Sequence, residues 1–173
     1  MAIKPEKEQK WLFNGGGTFV AVGQSGKMAT SSDGVTWTAI SGANSTFSVT
    51  DINAIAYGSA GNAGGKFVAV GNYGRMATST NGASWTFVSS TNSTFGSANN
   101  HIYGIAYGNG MFVAGGEYGK MAYSTDGATW TAVSVSTFPN NYSGNIRGIA
   151  YGDGKFVAVG DGGKMAYADW EED

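Results

Sequence analysis

The chain has 173 residues, with 10 Lys and Arg against 12 Asp and Glu and a formal net charge of -2 at pH 7. Charged residues are 13% of the total and neither end carries a long run of one sign, which excludes the clustered basic surface that nucleic acid requires. There is no cysteine, so disulfides and thiolate metal sites are excluded, and no apolar run approaches the length of a membrane-spanning helix.

Hydrophobic residues make up 42%, enough for one domain with a real core. The 29 glycines stand beside only 2 prolines, 9 Tyr, 9 Phe and 5 Trp, which predicts short strands joined by tight turns. Residues 1–10 are charged and lack an apolar stretch, so no secretory signal is expected there. Residues 1–9 precede the first strand as an arm that belongs to no repeat. A first unit follows over residues 10–41, with strands opening near residues 10–13 and at the phrase Phe19-Val20-Ala21-Val22-Gly23. The second unit covers residues 52–90, the third 102–134 and the fourth 146–170.

Four phenylalanines, Phe19, Phe67, Phe112 and Phe156, hold one register at spacings of 48, 45 and 44 residues. Nine residues after each stands Met28, Met76, Met121 or Met165, and eighteen residues after the first three stands Trp37, Trp85 or Trp130. Within the fourth unit the sequence reads as strands at residues 146–151, 155–159 and 164–167. The third unit adds a fourth strand near residues 129–133, after a turn carrying Asp126-Gly127. No segment shows a helical period. Four antiparallel strands per unit of about 45 residues predicts an all-β fold, a small β-propeller of four four-stranded blades.

The last unit lacks its outer strand. Residues 1–9 are expected to supply it and so close the ring. Closure within one chain is the expectation, with a homodimer that exchanges arms into an eight-bladed ring as the alternative.

The phrase Ser124-Thr125-Asp126-Gly127-Ala128-Thr129-Trp130 recurs as Ser31-Ser32-Asp33-Gly34-Val35-Thr36-Trp37 and as Ser79-Thr80-Asn81-Gly82-Ala83-Ser84-Trp85. It resembles the Asp-box of bacterial neuraminidase repeats. Together with Ile-Ala-Tyr-Gly and Gly-Lys-Phe-Val-Ala-Val-Gly, it is similar to propeller repeats of bacterial surface or secreted proteins and of phage tail proteins. That resemblance implies an extracellular, cell-surface or virion location. It also implies that Asp33 and Asp126 cap their turns, that Asn81 is a weaker stand-in, and that Trp37, Trp85 and Trp130 are buried.

The neuraminidases it resembles hold a substrate carboxylate with three arginines, and this chain has two, Arg75 and Arg147. Of the carboxylates that could form a glycosidase pair, Glu117 and Asp161 share one repeat position with Gln24 and Asn72 and read as polar turn residues. Asp51 and Asp153 are the remaining candidates. His101 is the only histidine and reads as a loop residue, so neither a histidine metal cluster nor a Ser-His-Asp triad can be built by repetition. No catalytic residue, metal or cofactor is expected, and a glycoside hydrolase-related fragment is the weakest alternative.

The candidate binding residues lie in the turns between second and third strands. Gln24, Asn72, Tyr73, Glu117, Tyr118 and Asp161 vary between units while the neighbouring Gly and Met repeat. A cation directly precedes each methionine, as Lys27, Arg75, Lys120 and Lys164, and could meet an anion or a carboxylated sugar. The expected function is non-enzymatic recognition of a glycan or a protein receptor, by a monomer or an arm-exchanged homodimer. The alternative is a structural or assembly component of a virion or cell surface.

Overall fold

The computed structural model describes residues 9–15, 17–59, 64–96, 100–134 and 137–169. Four antiparallel sheets follow one another along the chain. Sheet 1 contains β1 (Gln9–Gly15), β2 (Thr18–Gly23), β3 (Met28–Ser31) and β4 (Thr38–Ile40) in that spatial order. Sheet 2 contains β5 (Ile52–Ser59), β6 (Gly65–Gly71), β7 (Met76–Ser79) and β8 (Thr86–Val88). Sheet 3 contains β9 (Ile102–Gly108), β10 (Met111–Gly116), β11 (Met121–Ser124) and β12 (Thr131–Ala132). Sheet 4 has three strands, β13 (Ile146–Gly152), β14 (Lys155–Gly160) and β15 (Met165–Asp169).

The first strands lie side by side in the order β1, β5, β9, β13, so each sheet stacks face to face on the next. A sheet in this position buries both faces, which explains why Phe67-Val68-Ala69-Val70 is apolar throughout rather than alternating. Val68 and Val70 face forward onto Phe112, Ala114, Ala122 and Trp130 of sheet 3. Phe67, Ala69, Ala77 and Trp85 face back onto Val20, Val22 and Met28 of sheet 1. Each such fully buried side chain contributes about 1.5–3 kcal/mol. Two one-turn helices, α1 (Gly42–Ser45) and α2 (Ser90–Ser93), interrupt the loops between sheets, where the sequence showed no helical period. Each precedes a phenylalanine, Phe47 or Phe95, that is 1% exposed and wedged between sheets.

The two ends of the series differ from its middle. Val159 is 41% exposed, and Met165 and Tyr167 are each 70% exposed, on the face of sheet 4 that points away from sheet 3. Among the described residues no strand of sheet 1 packs on that face as sheet 3 packs on sheet 2. Trp37 corrects one expectation: it is only half-buried, whereas Trp85 and Trp130 are 6% and 4% exposed. The reason is positional, because Trp85 and Trp130 lie against the preceding sheet and sheet 1 has none on that side among the described residues. Residues 1–8 and Trp170 lie outside the described residues, and with them all of the expected arm except Gln9, which opens β1 of sheet 1 instead.

Candidate recognition site at the inner strand ends

The Asp-Gly phrases form one turn three times. Asp126 Oδ1 accepts the amides of Ala128 and Thr129, each at 2.7 Å, and Ser124 Oγ accepts the Gly127 amide at 2.8 Å. The Trp130 indole donates to the Gly127 carbonyl at 3.2 Å. Asp33 and Asn81 repeat the pattern, with Val35 and Thr36 donating to Asp33, and Ala83 and Ser84 to Asn81. Gly34, Gly82 and Gly127 take φ of +74°, +76° and +73°, a backbone state that glycine enters without strain. The amides of Thr36 and Val35, with the Ser31 hydroxyl, hold Asp33 down at about 2. Burial pushes Asp126 up, but the Thr129 and Ala128 amides and Ser124 outweigh it and its pKa is lowered. These carboxylates are consumed by their own turns.

The variable side chains gather at the other end of the sheets. Every first strand has a bulge one residue after its start, which leaves one residue without a cross-strand partner. In sheets 2, 3 and 4 that residue is Asn53, Tyr103 or Arg147, and it bonds the first residue of the following turn in its own sheet. Asn53 Nδ2 donates to Asn72 Oδ1 at 2.8 Å. The Tyr103 hydroxyl donates to Glu117 Oε1 at 3.0 Å. Arg147 grips Asp161 with two bonds, Nε to Oδ1 at 2.7 Å and Nη2 to Oδ2 at 2.9 Å. The Arg147 guanidinium also lies 4.7 Å from the Tyr103 ring centroid, which couples sheets 3 and 4.

The electrostatics follow from these partners. The bond from Arg147 holds Asp161 below the ordinary carboxylate range, and Asp161 in turn raises Arg147. Burial, then the bond to Glu117, pushes the Tyr103 phenol up to about 12, so it is a donor at neutral pH. The result is a row of fixed polar pairs, amide with amide in sheet 2, phenol with carboxyl in sheet 3 and an ion pair in sheet 4.

A second repeat position fastens this row. Asp51, His101 and Asn145 each precede a first strand and accept a turn amide from the previous sheet. Ser25 N–H donates to Asp51 at 2.8 Å, Tyr73 N–H to His101 Nδ1 at 3.1 Å, and Tyr118 N–H to Asn145 at 3.1 Å. The same three residues also bind the turn of their own sheet, through Asn72, Glu117 and Asp161. His101, read from sequence as a loop residue, is one of these fasteners.

The turn donors take left-handed backbone, with φ of 53° at Ser25, 58° at Tyr73 and 57° at Tyr118. That state is strained for a tyrosine and is held by the fastening bonds. It sets Tyr73 half-exposed against His101, with ring centroids 5.1 Å apart. Tyr118 meets the exposed Tyr142 edge to face at 5.2 Å, and this neighbour raises the Tyr118 pKa. The cations that precede the methionines of sheets 2, 3 and 4 bond loop carbonyls. Arg75 donates to the Thr46 carbonyl, Lys120 to Phe95 and Lys164 to Ser143, each tying down the loop that enters its own sheet. Lys27 and Gln24 are exposed in sheet 1. Sequence reasoning found the turn half of each pair and missed Asn53, Tyr103 and Arg147. The signal was present, because these residues vary directly after the repeating Ile52, Ile102 and Ile146.

Among the described residues no group of three His, Cys, Asp or Glu side chains could hold a metal ion. Four meandering sheets, stacked through their first strands and carrying varied side chains at one end, define a protein of the β-propeller class. No protein-family model and no curated protein matches the chain. Solved structures do. YCF48 bound to D1 peptide is similar at 19% identity and a TM-score of 0.62, over 89% of this chain and 48% of that one. A nidogen/laminin complex matches at 14% identity and a TM-score of 0.66, over 93% of this chain and 60% of the other. The computationally designed Ika4 protein matches at 10% identity and a TM-score of 0.63, over 97% of this chain and 95% of that one. The chain thus spans about half the length of the YCF48 structure it matches.

Proposed function

We propose that the protein is a non-enzymatic recognition module that binds a polar ligand, a glycan first of all, at the row of bulge and turn pairs. One observation carries this reading. Asn53–Asn72, Tyr103–Glu117 and Arg147–Asp161 occupy the same place in successive sheets, on the same backbone, with different chemistry in each. Packing does not demand that variety, whereas recognition of an asymmetric ligand does. The amides and carboxylates match sugar hydroxyls, and the tyrosines Tyr73, Tyr118 and Tyr142 offer rings for stacking. Glu117 and Asp161 are both occupied as acceptors, which fits binding better than proton transfer. Peptide binding by a propeller, as in the YCF48 structure, makes an extended protein receptor the competing ligand.

A glycan array tests the proposal directly. Selective binding that falls at least tenfold in Tyr73→Ala and Arg147→Ala supports it, while binding unchanged in both variants refutes the site.

The assembly reading keeps one specific support, the apolar face of sheet 4 left open at Met165 and Tyr167. For the ring itself, we propose that the arm, expected over residues 1–9 and shortened to 1–8 by the place of Gln9 in β1, adds to the edge of β15 that is unpaired among the described residues. Its deletion is then expected to lower the melting temperature by several degrees, and an unchanged melt removes the idea. A surface or virion location accords with recognition of this kind.

A further inference from the structure

We infer that the open face of sheet 4 is an interface for sheet 1 of a second copy of this chain, so that two chains complete one ring of eight sheets. This does not rest on the proposed ligand. It rests on how the repeat builds the same face where a neighbour is present.

Gly58 and Gly108 hold one register near the ends of their first strands, and a Cβ on either would strike the ring of Tyr107 or Tyr151 from the next sheet, at 2.1 and 2.0 Å. Gly152 occupies that position in sheet 4, and a Cβ there would meet nothing within 4 Å. This chain therefore leaves open at Gly152 the space that Tyr107 and Tyr151 fill against Gly58 and Gly108, and the sheet 1 residue in that register is Asn14. The side-chain rows tell the same story. Met76 and Val70 are fully buried under sheet 3, while their counterparts Met165 and Val159 are 70% and 41% exposed. The fastening bonds also stop here. The amides of Ser25, Tyr73 and Tyr118 each find an acceptor in the next sheet, and the amide of Gly162 has none among the described residues.

Sheet 1 carries the complementary half. Gly82 and Gly127 point at Val20 and Val68 of the sheet before them, each 2.8 Å from a Cβ placed on the glycine. Gly34 meets only Phe19 of its own sheet, at 3.7 Å. In the repeat register, the residue of sheet 4 that matches Val20 and Val68 is Val157. Trp37 is half-buried for the same reason. A face and its matching counterface, both exposed on one chain, make a head-to-tail contact that closes only at a fixed number of copies. Two copies give eight sheets, within the usual range of propellers, and three give twelve, beyond it.

Sedimentation equilibrium of the intact chain is the test, with the variants Gly152→Leu and Met165→Asp. Both substitutions enter open space on the single chain, so far-ultraviolet circular dichroism should match the parent. The parent is expected at twice the chain mass of 17.8 kDa, and each variant at that mass alone. A parent that stays monomeric up to about 100 μM, or one that assembles to any number other than two, overturns the inference. So does a dimer that survives both substitutions, which would place the contact elsewhere.

Discussion

Sheets 2 and 4 carry the same phrase, Lys66-Phe67-Val68-Ala69-Val70-Gly71 and Lys155-Phe156-Val157-Ala158-Val159-Gly160, and meet different surroundings. In sheet 2 the phrase is buried on both faces. In sheet 4 Phe156 and Ala158 are buried against sheet 3, while Val159 is exposed. The repeat therefore encodes an interface at every position, and the arrangement of the sheets decides which interfaces are filled within the chain. Apolar residues on both faces of a strand predict a neighbour on each side, not the molecule from which that neighbour comes.

The largest effect that would sharpen this contrast is at the tryptophans. Trp130→Ala should cost about 3–5 kcal/mol, because it empties a seat between two sheets. Trp37→Ala should cost less than half of that in dilute urea melts, and the gap should narrow as protein concentration rises. Equal costs at every concentration would contradict the half-buried position of Trp37.

The turn serines come next. Ser124 is 2% exposed and serves both Gly127 and Asp126, so Ser124→Ala should cost about 1–2 kcal/mol. Sheet 4 already has Ala168 at that position, and Ala168→Ser should stay within about 0.5 kcal/mol of the parent. A smaller contrast separates Asp33 from Asn81. Asp33 is held at about 2, below the value near 3.9 of an unfolded aspartate. Its contribution is therefore complete above that unfolded value and is lost as pH falls through about 2. By nuclear magnetic resonance the Val35 and Thr36 amides should titrate near that pH while Ala83 and Ser84 stay flat. The smallest effect on folding is expected at Arg147→Ala, within about 1 kcal/mol, since its partner pair is exposed. A large loss of stability there would show that the row of pairs is structural rather than a recognition surface.

Most of the architecture was legible. The spacing of Phe19, Phe67, Phe112 and Phe156 specified four sheets, and the Asp-Gly phrases specified the third turn of each complete unit. The half-burial of Trp37 was not legible, because the phrase that contains it recurs with only small changes in all three sheets, whereas its neighbour differs. The candidate site was half legible. Variation at Asn72, Glu117 and Asp161 marked the turns, but their partners Asn53, Tyr103 and Arg147 sit inside strands. A strand residue is assigned to a face by alternation, and a bulge breaks that alternation without any composition signal of its own. For the cations before each methionine, sequence shows their repetition and not the loop carbonyls that Arg75 and Lys120 reach.

The bulge and turn pairs have one more consequence. Each pair is bonded to itself within its own sheet, and its ties to the next sheet are few: Asn53 Nδ2 also donates to the Ile102 carbonyl, a backbone group, and only the Arg147 guanidinium on the Tyr103 ring joins one pair to another. The unit of change is then a two-residue cassette, and a handful of cassettes arranged in different orders yields many distinct polar surfaces on one unchanged frame. New specificities can be composed on such a frame by shuffling as well as by point substitution.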